Sequence, residues 1–291
     1  MKKLVSLILA LSLVFALTAC GQKEAAPDPV QPDDTNIEQN AEPVELTVFA
    51  AASLTETLTA IGETYMSEHE GVTLSFNFDS SGKLLTQIKE GAVCDLFLSA
   101  APKQMNALDG SLAGDAEKNP DGLDLLVEGS RVDLLENKVT LVVPEGNPAG
   151  IESFDQLALL LASALEQDKV LLAIGNEDVP VGQYTQKIFN CYALHEPTMA
   201  EAGKLTYGNN VKEVTSQVSE GSVDCGIIYA TDACSAGLTV VDTATAEMCG
   251  QVIYPAAVLR GENETAAQEF LDYLKTDAAM AVFASVGFSA A

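Results

Sequence analysis

The sequence predicts an α/β protein built on mainly parallel sheets, and two observations carry that prediction. Strand-like and helix-like segments alternate from Glu45 to the carboxyl end, the pattern of strands joined by crossover helices. The chain has 291 residues, of which 47 % are hydrophobic. That is enough for one large core or two moderate ones, and the scaling of surface with size favours two.

The elements follow in order. "VELTVFA" (44–50) reads as a strand, and the next helix carries Leu54, Leu58, Ile61 and Tyr65 at helical spacing until Gly71. "VTLSFNF" puts Val72, Leu74, Phe76 and Phe78 on one face, "KLLTQIKEG" is a short helix ending at Gly91, and "CDLFLSA" is a third strand. The acidic, Gly-rich stretch 109–133 is expected to form a surface excursion. The same grammar then resumes with "KVTLVVP", a helix near Ser153 to Gln167, "KVLLAIG", a helix from about Gln183, and "CGIIYA". The carboxyl end reads as one long or broken helix. No internal repeat of fixed period is present.

The amino end stands apart from this pattern. Lys2 and Lys3 precede an apolar run from Leu4 to Leu17, too short to cross a bilayer and shaped like a secretory leader. The residues Leu17-Thr18-Ala19-Cys20-Gly21 resemble the bacterial lipobox, which implies that residues 1–19 are removed and that Cys20 is the lipidated terminus. Residues 20–43 hold Pro27, Pro29, Pro32 and Pro43 among polar neighbours and read as a flexible tether.

Charge narrows the partners. With 42 Asp+Glu against 15 Lys+Arg and a formal charge of −27, nucleic acid is not an expected partner. Five cysteines follow Cys20: Cys94, Cys191, Cys225, Cys234 and Cys249. The number is odd and no pair has CxxC spacing; with only His69 and His195 beside them, no metal site is expected. Buried thiols, with one unassigned disulfide as the alternative, fit that pattern.

In open α/β sheets ligands collect at the carboxyl ends of strands, where helix amino termini offer unpaired N–H groups. Ser53 stands at the first such junction, after three alanines, with Glu56 at capping-box spacing. Ser80 and Ser81 stand at the second, in "FNFDSSGKLL". A serine at a helix start is more often a cap than a ligand. The second stretch is not a nucleotide loop, because GxxxxGK[ST] would need glycine at Asn77 and a hydroxyl at Leu84. No GxSxG elbow and no aligned Ser/His/acid set are present. A hydrolase or transferase is therefore a distant alternative, and no catalytic residue is expected.

Several segments taken together decide between binding and catalysis. "TVFAAASLTETL", "FDSSGKLLTQIKEGAVCDLFLSA", "LVVPEGNP", "VPVGQYTQK", "GNNVKEV", "GIIYATDA" and the closing "VGF" stand in the order seen in the periplasmic molybdate-binding proteins of ABC importers. The resemblance runs from about Glu45 to Phe288. It implies a two-lobed type II periplasmic binding protein fold, with lobe I at 44–135 and 243–291, lobe II at 136–242, and hinges near 136–139 and 240–246.

Carried over by residue, the oxyanion donors would be the hydroxyls of Ser53, Ser81 and Tyr229 and the backbone amides of Val181 and Val211. Val181 replaces the family's usual alanine. All five would be neutral donors, so a fully deprotonated tetrahedral anion is expected, and a ligand carrying a proton would find no acceptor. The resemblance implies molybdate or tungstate as ligand, with sulfate or phosphate as the alternative. It also implies no cofactor, a membrane permease as partner, a monomer, and a place on the extracytoplasmic face of the cell membrane held by a lipid at Cys20.

Overall fold

Two sheets organise the chain. The computed structural model describes residues 43–165 and 169–291; the leader, Cys20 and nearly all of the tether lie outside them. The strands are β1 (Val44–Ala51), β2 (Val72–Asp79), β3 (Leu96–Leu98), β4 (Val132–Asn137), β5 (Val139–Val143), β6 (Leu172–Gly175), β7 (Leu205–Gly208), β8 (Cys225–Tyr229), β9 (Thr239–Thr243), β10 (Val252–Val258) and β11 (Ser289–Ala290). Between them lie α1 (Thr55–Glu68), α2 (Ser81–Lys89), α3 (Pro102–Asn106), α4 (Phe154–Ala162), α5 (Pro180–Cys191), α6 (Glu196–Glu201), α7 (Val211–Ser219), α8 (Ala230–Ala236), α9 (Ala246–Cys249), α10 (Glu264–Leu274) and α11 (Asp277–Ser285).

The first sheet has the order β11-β4-β10-β3-β1-β2 and the second β7-β6-β8-β5-β9. Strands β5, β6 and β8 are buried along their whole length, which explains why they read as unbroken apolar runs rather than alternating ones. The α/β reading holds, with one difference in strand direction. Among the described residues the β1–β2, β1–β3, β6–β7 and β6–β8 ladders are parallel, but every ladder made by β5, β10 or β11 is antiparallel.

The reason is the way the chain crosses between sheets. Strand β4 ends at Asn137 and β5 begins at Val139, so a single residue separates the two sheets. The direction that brings β4 up to the junction carries β5 away from it. The return, β9 to β10, does the same through residues 244–251. A strand that leaves the junction must run against the strands that arrive there.

Local differences have local causes. The helix expected from Gln183 begins at Pro180, because proline at the first helical position lacks only an N–H that would be unpaired anyway. The helix expected to reach Gln167 ends at Ala162, with residues 166–168 outside the description. The carboxyl-terminal helix is broken into α10 and α11, where the Thr276 hydroxyl caps the second segment by accepting from the Ala279 amide. All five cysteines after Cys20 are free thiols; Cys94, Cys225 and Cys249 are buried and Cys191 and Cys234 exposed.

Candidate functional site

Ser53, Ser81, Val181, Val211 and Tyr229 line one cavity of about 10 Å³, about the room needed by the centre of a single water-sized sphere. Ala51, Ala52, Asp79, Ser80, Ala100, Val179 and Pro180 complete its wall. Ser53 and Ser81 come from the first sheet's side, the other three from the second. Larger hollows of about 410 and 480 Å³ lie elsewhere on the surface and contain none of these five residues.

Three helices begin at the cavity. Ser80 caps α2 by accepting from the Lys83 amide, and Asn210 caps α7 by accepting from the Glu213 amide. Each cap takes the third amide of its helix, which leaves the first two, at Ser81 and Gly82 and at Val211 and Lys212, without an acceptor inside the helix. Helix α5 has no side-chain cap, so the Val181 amide is equally unclaimed. Three amino termini thus bring their unpaired N–H groups and positive dipole ends to one point.

The hydroxyls have defined neighbours. Ser81 Oγ accepts from the Ala100 amide at 3.0 Å, so its own proton is free to point into the cavity. Asn137 accepts from the Lys138 amide through Oδ1, and its Nδ2 therefore donates to Tyr254 Oη at 3.2 Å. Tyr254 in turn lies 2.9 Å from Ser53 Oγ, a hydroxyl pair in which either oxygen can donate; when Tyr254 donates, the Ser53 proton is available to the cavity. Tyr229 packs edge-on against Tyr254, with ring centroids 5.7 Å apart. Its Oη is buried without a well-formed hydrogen bond, and the Tyr254 hydroxyl is the polar neighbour that acts on it. Burial pushes its pKa well above the ordinary tyrosine value, so it is a neutral O–H donor.

Two sequence expectations change here. Ser53 does not cap α1: it lies inside a short 3₁₀ turn, Ala52–Leu54, that precedes the helix, and α1 has no side-chain cap. The turn directs the Ser53 hydroxyl to Tyr254, and Glu56 instead accepts from Lys212 across the junction. The expected absence of an acceptor also fails, because Asp79 stands in the cavity wall. Its Oδ1 accepts from the Ser80 amide at 2.7 Å and from Asn210 Nδ2 at 3.3 Å, and Lys83 lies 3.5 Å away. That aspartate was visible in "DSSG", but nothing in the spacing said which way it faced. Tyr254 and Asn137, far off in sequence, had no signal at all.

A second polar group lies behind the cavity. Asp232 is wholly buried, and its Oδ1 is 3.1 Å from Lys212 Nζ. Desolvation, partly offset by Lys212, pushes its pKa up to about 6. Between about pH 4 and 6 the folded protein therefore holds a proton that the unfolded chain has lost, and stability falls as pH rises through that window. Urea unfolding of wild type and Asp232→Asn is expected to show the difference moving in favour of the asparagine from pH 4 to 6; parallel pH profiles would remove the linkage. Among the described residues no cluster of His, Cys, Asp and Glu could hold a metal ion.

The sequence profile of the bacterial extracellular solute-binding proteins matches residues 46–289. The Bacillus subtilis protein YvgL, named as an ABC transporter substrate-binding lipoprotein, is 31 % identical over 99 % of each chain. The molybdate-binding protein ModA of Haemophilus influenzae is 31 % identical, covering 84 % of this chain and 90 % of its own. The solved periplasmic molybdate-binding protein of Azotobacter vinelandii shares the fold with a TM-score of 0.66 at 21 % identity, over 84 % of this chain and 98 % of its own; sulfate- and phosphate-binding proteins share it too. Matched over nearly all of its described length, the chain belongs to the bacterial extracellular solute-binding proteins, in the family that includes the molybdate-binding proteins of ABC importers.

Proposed function

We propose that this chain binds molybdate or tungstate between its two lobes and delivers it to the membrane permease of an ABC importer. The observation that carries the reading is the buried hydroxyl of Tyr229, left without a well-formed hydrogen bond at a cavity where three helix amino termini converge. An unsatisfied buried donor costs about 1–3 kcal/mol, and a tetrahedral oxyanion supplies the missing acceptor. Neutral dipoles offset its charge locally, so the acidic composition is no obstacle.

Lobe I is assigned to 44–135 and 243–291 and lobe II to 136–242, with hinges at 136–139 and 240–246; the single-residue link at Lys138 supports the first hinge. Because the ligand touches donors from both lobes, it favours the closed form, which the permease reads. The protein acts as a monomeric receptor without cofactor, and no catalytic role is assigned to any residue. A titration calorimetry series with molybdate, tungstate, sulfate and phosphate tests the reading. Tight binding of the first two with weak binding of sulfate supports it, and no heat from either would end it.

A second reading has its own observation. Asp79 in the wall could accept a proton from hydrogen phosphate. Its Oδ1 is already engaged by Ser80, Asn210 and Lys83, which leaves only Oδ2 for that proton and weighs toward the fully deprotonated ligand. Stronger binding of phosphate than of molybdate in the same series would reverse that preference.

Two further outcomes follow. Ser81→Ala removes a donor to the ligand and strands the Ala100 amide, so molybdate binding should weaken by about 1–3 kcal/mol. Lys83→Gln should change little, since that side chain is 41 % exposed and faces Asp79. A larger loss from the lysine change in calorimetry would overturn the neutral-donor account. The lipobox assigns Cys20 as the lipidated terminus on the extracytoplasmic face, as the name of YvgL suggests for that relative. Mass spectrometry of the membrane-extracted protein should find a diacyl- or triacyl-modified Cys20; an unmodified terminus elsewhere would exclude it.

A further inference from the structure

The first turn of α7 carries three consecutive residues toward the other lobe. Asn210, the cap, donates to Asp79 Oδ1 at 3.3 Å. Val211 lines the anion cavity. Lys212 reaches across to Glu56, in the first turn of α1, and donates to both carboxylate oxygens at 2.8 Å. The bond to Glu56 therefore joins helices that belong to different sheets.

Lys212 has a second partner of a different kind. Asp232, in α8 of the same lobe, lies 3.1 Å away with its side chain fully buried, whereas Glu56 is half exposed. When the lobes separate, the Lys212–Asp232 pair travels as one body and only the Glu56 contact breaks. The buried aspartate fixes the lysine in place, because the ammonium cannot leave without stranding a charge in the interior. The cation that meets Glu56 is thus already positioned in the open protein, which lowers the entropy lost on closing.

We propose that Glu56 and Lys212 form an electrostatic latch that sets how long the lobes stay closed on a bound anion, with Asp232 as the positioning residue for the lysine. The latch exists only in the closed form, so it governs release and leaves capture by the open form almost untouched. Its half-exposed partner makes it sensitive to salt. The inference rests on the two-lobed oxyanion reading for its ligand, but not for its geometry.

Glu56→Gln is the appropriate variant, since it leaves the buried Lys212–Asp232 pair intact. Release of radiolabelled molybdate into excess unlabelled ion should be about two- to fivefold faster than in wild type, as expected for a single partly exposed pair, with the association rate unchanged. Raising potassium chloride should speed wild-type release and leave the variant's rate nearly flat. A second variant, Lys212→Met with Asp232→Asn, removes the cation without stranding a buried carboxylate and should match Glu56→Gln. Combining both changes should add nothing further.

Distances between spin labels placed one on each lobe, with Cys191 and Cys234 replaced by serine, give a readout without ligand: Glu56→Gln should lower the closed fraction. Equal release rates, equal salt dependence or an unchanged distance distribution would overturn the latch. If wild type binds none of the four oxyanions, the functional reading fails while the ligand-free distances still decide the latch.

Discussion

Gly82→Ala is expected to weaken oxyanion binding by about ten- to a hundredfold while leaving the ligand-free protein as stable as wild type or slightly more so. A Cβ at Gly82 would lie 2.2 Å from the carbonyl oxygen of Asp178, in the lobe opposite. The overlap is with backbone, so no side-chain rotation relieves it, and the cost of forcing such contacts is about 1–3 kcal/mol. Opening the lobes relieves it completely. In the open form the substitution replaces glycine within the first turn of a helix, where alanine is favoured by up to about 1 kcal/mol.

Binding and stability therefore move in opposite directions, which separates a block to closure from general damage. Calorimetry with molybdate and thermal unfolding without it measure the two. Small-angle scattering should show that the variant stays expanded at ligand concentrations that compact the wild type. Unaltered affinity would mean that the Gly82–Asp178 approach is not part of the bound state.

Tyr229→Phe is the second large effect, and its logic is similar. Because Tyr229 Oη has no well-formed hydrogen bond, deleting it removes an unsatisfied buried group and should leave ligand-free stability unchanged or higher by up to about 1–3 kcal/mol. The ring stays, so its packing against Tyr184 and Tyr254 is retained. The anion loses one of its donors from the second lobe, and affinity should fall by about 1–3 kcal/mol. A variant that melts lower yet binds normally would show that the hydroxyl serves the fold rather than the ligand.

Much of this molecule was legible in one dimension. The alternation of apolar runs and amphipathic segments gave the α/β class, and strand ends followed by serine, at Ser53 and at Ser80–Ser81, marked two of the junctions that line the cavity. Ser53 and Ser81 stand out from their places at strand-to-helix junctions, whereas Val181, Val211 and Tyr229 are named only through the resemblance to the molybdate-binding proteins. Capping by Ser80 and Asn210 is likewise local, fixed within three residues of the helix start.

What tertiary structure decided is orientation across the junction. Ser53 has the spacing of a capping box, yet its hydroxyl faces Tyr254, 201 residues away, because the 3₁₀ turn after β1 rotates it off the helix. Asp79 is a solvated acid to any local rule, yet it lines the cavity at the end of β2 and accepts there from Asn210 of the other sheet's side. Glu56, Lys212 and Asp232 are ordinary charges in sequence; Lys212 meets Asp232 through the packing of α7 on α8, and meets Glu56 only because the two sheets close together. Sequence by itself determined the α/β class, six of the strands and the helices that follow several of them, since hydrogen bonding within a turn spans only a few residues, but it did not single out β4, β7, β9 or β10. Only the packing of the two sheets could decide which acids, hydroxyls and backbone atoms meet between them, because those contacts join residues far apart in the chain.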